Sequence, residues 1–93
     1  MYTPTVSLAM ELIRCQSVTP DDAGCQQLLM QRLAKMGFSH TPLTFGEVTN
    51  LWSRRGTEGP LFCFAGHTDV VPSGPEDLWH TPPFDPCVQA GYL

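Results

Sequence analysis

Leu61-Phe62-Cys63-Phe64-Ala65 is five residues without a polar side chain, entered through Pro60 and left through Gly66. Successive side chains of an extended chain point to opposite faces, so an unbroken apolar run predicts a central strand covered on both sides. Upstream, two segments carry helical periodicity. Between them and Leu61, the residues 38–45 and 50–55 read as further short strands, separated by glycines. Two helices followed by strands of this kind predict an α/β layer in preference to a helical bundle or a β-sandwich.

The first helix is expected around Val6 to Ile13, where Val6, Ala9, Met10 and Ile13 recur at helical spacing and Leu8 and Leu12 widen the stripe. Thr3 and Pro4 form its entry, a capping side chain followed by a first-turn proline. A second start is read at Thr19, ahead of Pro20 and with Asp22 three residues on, for a helix running to about Met36. Cys25, Leu28, Leu29, Leu33 and Met36 share one of its faces. Gly37 ends it as a residue that accepts the left-handed conformation.

Downstream of Ala65 the composition changes, with five prolines and two glycines in residues 66–86. An irregular connection of that length is usually functional, and Trp79 and Phe84 predict that it is packed. Residues 88–93 read as the start of another strand with Gly91 in a turn. There is no internal repeat.

At 93 residues, with nine acids against five bases and a formal charge of −4, the chain fits one small domain, residues 1–93. The bases form no stripe that could track a phosphate backbone, so nucleic acid is excluded as a partner. The first residues lack the basic and apolar regions of a secretory signal, and no apolar stretch approaches the ~18 residues of a membrane span. A cytoplasmic protein without membrane contact is expected. Cys15, Cys25, Cys63 and Cys87 then read as reduced, mostly buried thiols, and the closest two are ten positions apart, too far for a paired cysteine zinc site.

The chemistry concentrates in Ala65-Gly66-His67-Thr68-Asp69-Val70-Val71-Pro72, directly after the apolar run. Ligands of α/β sheets commonly bind beyond the carboxyl ends of strands, and residues 67 and 69 of an extended chain project to the same side. Two readings fit. His67 is a metal ligand whose second ring nitrogen is oriented by the Asp69 carboxylate, or the two form a hydrogen-bonded pair that closes a loop. His40 and His80 each stand alone and read as non-ligands. Trp52, Phe62 and Phe64 read as packing residues, and Arg54-Arg55 as a solvated strand end.

Gly66-His67-Thr68-Asp69-Val70-Val71-Pro72 resembles the first metal motif of the zinc aminoacylase and carboxypeptidase superfamily. Trp79-His80-Thr81-Pro82-Pro83-Phe84-Asp85-Pro86 and the segment Ser17 to Gln26 resemble its succinyl-diaminopimelate desuccinylase branch. The resemblance implies that His67 is a zinc ligand and Asp69 the catalytic aspartate that holds its ring. It also implies a two-zinc site, with cobalt as a possible substitute, a small-molecule succinyl amide substrate and a homodimeric complete enzyme. On this reading residues 1–93 are the amino-terminal portion of a mixed-sheet catalytic domain, incomplete without the remaining ligands and a dimerisation domain, and the chain alone is inactive. His67 and Asp69 would serve an acetylornithine deacetylase, an aminoacylase or a dipeptidase equally. A non-catalytic remnant that acts as a small interaction module is the alternative from another class.

Overall fold

In a computed structural model that describes residues 1–93, the chain forms α1 (Pro4–Arg14), α2 (Cys25–Ala34), β1 (Ser39–Phe45), β2 (Val48–Arg54) and a single 3-10 turn at Glu76–Leu78. α1 begins as its sequence predicts. The Thr3 hydroxyl accepts from the Val6 amide at 3.2 Å and Pro4 occupies the first turn, where a missing N–H costs nothing. Its inward stripe places Met10 in the core.

α2 starts at Cys25, not at Thr19. Thr19 is engaged elsewhere: its amide donates to the Val70 carbonyl at 3.0 Å, which draws residues 17–19 into an extended path. The Asp21 carboxylate then accepts from the Ala23 amide at 3.0 Å, an Asx turn that competes with helix. Asp22 does serve the helix start, accepting from the Gln26 amide at 3.0 Å. The other end agrees with expectation. Phe38 donates to Leu33 O and Gly37 to Ala34 O, the paired bonds of a Schellman motif, with Gly37 at φ 88°.

β1 and β2 are antiparallel, with Ser39 opposite Arg54 and Phe45 opposite Val48, joined by Gly46-Glu47. Gly46 at φ 63° in the first central position is the mark of a type II′ turn, whose twist suits a hairpin. One face of the hairpin, carrying His40, Leu51 and Ser53, is partly covered, and the Gln26 side-chain amide reaches Thr49 O from α2 at 2.6 Å. The opposite face leaves Leu43, Phe45, Val48 and Trp52 exposed.

The central strand expected at Leu61–Ala65 is absent. The segment has no strand pairing, and Phe62 and Phe64 are 80% and 90% exposed. A central strand requires hydrogen-bonding neighbours on both edges and cover on both faces. β1 and β2 pair only with each other, and neither face of 61–65 is covered. The α/β character therefore holds, and the sheet within these residues is two-stranded and antiparallel.

Residues 66–86 form the long irregular connection the composition predicts, with the Trp79 indole N–H donating to Ser73 O at 3.0 Å. Trp79 is nonetheless 48% exposed. At 88–93, Gly91 lies in a turn as expected, but the strand reduces to a tight loop closed by paired bonds between Gln89 and Tyr92. Only Met10, Ser17 and Cys25 are buried. The cysteines are free as expected, though Cys63 is exposed and Cys15 and Cys87 only half-buried.

Candidate functional site

His67 and Asp69 meet. The His67 Nδ1 lies 3.2 Å from Asp69 Oδ1 and 3.0 Å from the Asp69 backbone oxygen. A carbonyl and a carboxylate can only accept, so the proton on this side of the ring belongs to Nδ1, and in the neutral ring the lone pair is on Nε2. The His67 side chain is 81% exposed, and Nε2 makes no hydrogen bond within the chain.

This turn is held by a clamp from residues 17–22. Val70 N–H donates to Ser17 O at 2.9 Å and Thr19 N–H to Val70 O at 3.0 Å, a one-step parallel bridge between Val18 and Val70. Side chains extend it. Ser17 Oγ donates to Thr68 O at 2.8 Å, Thr68 Oγ1 to Asp22 Oδ1 at 3.1 Å and Thr19 Oγ1 to Asp69 Oδ2 at 2.5 Å. The Thr19 hydroxyl, and then the His67 ring against some desolvation, hold the Asp69 carboxyl below its ordinary 3.8. Both donors favour the charged form.

The site opens on a groove of ≈ 900 Å³ between α2, β2 and the 60–69 segment, with Trp52, Phe62 and Phe64 among its walls. An exposed imidazole nitrogen whose opposite nitrogen is fixed by a carboxylate has the form of a metal ligand with its orienting partner. This fits one corner of a zinc site. A catalytic zinc takes about three protein donors, and the chain brings no group of three or more His, Cys, Asp or Glu together.

The other candidates have structural explanations. His40 Nδ1 lies 2.8 Å from Ser53 Oγ, its cross-strand partner, while its Nε2 is buried without a partner; His80 is exposed. Arg55 donates to Met36 O at 3.2 Å, capping the carboxyl end of α2, and stacks over Phe38; Arg54 donates to Gly56 O. Burial pushes the Cys25 thiol above 9.0, as suits an inert core residue.

Sequence reasoning missed Ser17, Thr19, Asp22 and Thr68 as partners of the site. Thr19 and Asp22 read there as helix-start residues. The available signal was the alternation Ser17-Val18-Thr19 ahead of a proline, which favours an extended path. Nothing local indicates that its partner is residue 70.

No family model matches the chain. Over 91 residues it is 64% identical to the succinyl-diaminopimelate desuccinylase of Marinobacter nauticus, 58% identical to that of Psychromonas ingrahamii and 59% identical to that of an Azoarcus species. Each match covers 98% of this chain and 24% of the relative, so the chain spans about a quarter of the length of the curated relatives it matches. The alignment thus runs well beyond the three short motifs, over 98% of the chain.

Proposed function

We propose that this chain is the amino-terminal portion of the catalytic domain of a succinyl-diaminopimelate desuccinylase, in which His67 is a metal ligand and Asp69 the carboxylate that orients it. The identity of 58–64% along almost the whole chain carries this reading. The site geometry supports the two roles, because the Asp69 contact leaves Nε2 as the coordinating atom and the fixed carboxylate strengthens it as a donor.

The reaction of the longer protein is hydrolysis of the succinyl amide of N-succinyl-LL-2,6-diaminopimelate, which yields succinate and LL-2,6-diaminopimelate. Two zinc ions, or cobalt in their place, supply a water of lowered pKa and polarise the amide carbonyl when bound. This chain's contribution is to hold one imidazole in a single tautomer beside an open groove. The remaining donors come from sequence outside these 93 residues, and the complete enzyme is a cytoplasmic homodimer. The chain by itself does not turn over substrate, since one imidazole cannot keep a catalytic zinc.

The test is a desuccinylation assay on a protein extended to the length of its relatives, with zinc or cobalt, beside His67→Ala. Activity that vanishes in His67→Ala agrees with the proposal. Undiminished hydrolysis in that variant, or absence of hydrolysis in the extended protein with either metal, would sink it.

A further inference from the structure

The short hydrogen bond between Thr19 and Asp69 joins residues fifty positions apart, and neither backbone bridging nor helix capping requires it. The Thr19 hydroxyl has one proton and two acceptors in reach, Asp69 Oδ2 at 2.5 Å and Val70 O at 3.2 Å. The shorter, charge-assisted bond takes the proton. Asp69 then uses its two carboxylate oxygens in opposite directions, Oδ2 toward Thr19 and Oδ1 toward His67. Bonds at both oxygens confine the side chain to one staggered χ1 well, and without the Thr19 bond only the contact with an exposed ring is left to hold it there.

We propose that Thr19 is a positioning residue of this site: its hydroxyl fixes the Asp69 carboxylate in the rotamer that braces His67 Nδ1 and leaves Nε2 free to coordinate. The role rests on the hydrolase reading for its purpose, though not for its test. Asp22 and Thr68 support it from the other side. The Thr68 hydroxyl is tied to Asp22, which is itself anchored on the Gln26 amide at the start of α2, so the turn between His67 and Asp69 is referenced to a helix.

Thr19→Val removes the hydroxyl with little change of shape and keeps the amide that forms the Val70 bridge. Three-bond couplings would report the Asp69 χ1 populations in the full chain, with amide exchange at Thr19 and Val70 reporting the bridge. One dominant rotamer is expected in the natural sequence. In Thr19→Val the rotamer facing His67 falls about threefold in population while the bridge amides stay protected, and Thr19→Ser restores it. The proposal is overturned if Asp69 already averages over several rotamers in the natural sequence, or keeps one rotamer in Thr19→Val. It is overturned equally if Thr19→Ser fails to restore the rotamer, or if Thr19→Val loses bridge protection, because Thr19 would then be a structural residue. These readouts need neither metal nor substrate. A failure of desuccinylation in the extended protein would therefore be distinguishable from a failure of the Thr19 role.

Discussion

Asp69 stands two positions after His67, and its carboxylate reaches the imbalance that a lone imidazole would have: a ring free to turn and to place its proton on either nitrogen. Its contacts determine how the turn responds to acid. Because the Thr19 hydroxyl, and then the His67 ring, stabilise the charged carboxylate, its pKa in the folded chain lies below the ordinary 3.8. The stabilisation it lends is therefore complete above 3.8 and is lost only as pH falls through the lower, folded value. Carbon-13 titration of the Asp69 carboxyl should give a midpoint below 3.8, moving up toward it in Thr19→Val. A midpoint unchanged by the substitution would remove Thr19 as the cause. Residue types and their spacing made His67 and Asp69 legible in the sequence. Thr19 was not, because its partner is distant along the chain and a threonine before proline has an equally good local use as a helix cap.

Local rules account for the elements that begin and end on their own residues. At the start of α1 the Thr3 hydroxyl satisfies an otherwise free amide, so Thr3→Ala should cost about 1 kcal/mol in helix stability, measured as a shift in the circular-dichroism unfolding curve. At the end of α2, a Cβ added to Gly37 meets nothing closer than Arg55 Cδ at 3.6 Å, an ordinary contact. Backbone conformation decides the outcome: at φ 88°, Gly37→Ala should destabilise by about 1–2 kcal/mol despite the available room. A neutral result in the same unfolding measurement would show that the Schellman turn rearranges. The Glu11–Arg32 pair between the helices, at 2.7 Å but with both side chains about two-fifths exposed, is worth no more than about 1 kcal/mol. Elements that depend on neighbours were misread. The start of α2 moved because residues 17–19 pair with residue 70, and 61–65 stayed unpaired because no strand lies beside it.

Across the molecule, the radius of gyration of 15.6 Å exceeds the roughly 12 Å of a compact domain of this length. Three buried residues give little apolar area to offset the conformational entropy of ordering the chain. Urea unfolding of the 93-residue chain should accordingly be broad, with an m-value below about 1 kcal/mol/M, under the range of small cooperative domains. A sharp transition with a larger m-value would mean that the exposed apolar surfaces of 61–64 and of the hairpin are covered in solution. No helix is long and apolar enough to cross a membrane.

By itself the sequence determined what depends on residues a turn or two apart: α1, the body of α2 and its Gly37 stop, the hairpin strands, the irregular 66–86 connection, and the His67-Asp69 pair. Those features are set by capping, periodicity and side-chain alternation, which act within a few residues. Tertiary structure alone decided that residues 17–19 bridge to residue 70, that Thr19 and Asp22 brace the site, and that the apolar run at 61–65 lies uncovered. Pairing of an extended segment is a property of two stretches of chain, and composition of one of them does not reveal whether the other is there to receive its hydrogen bonds.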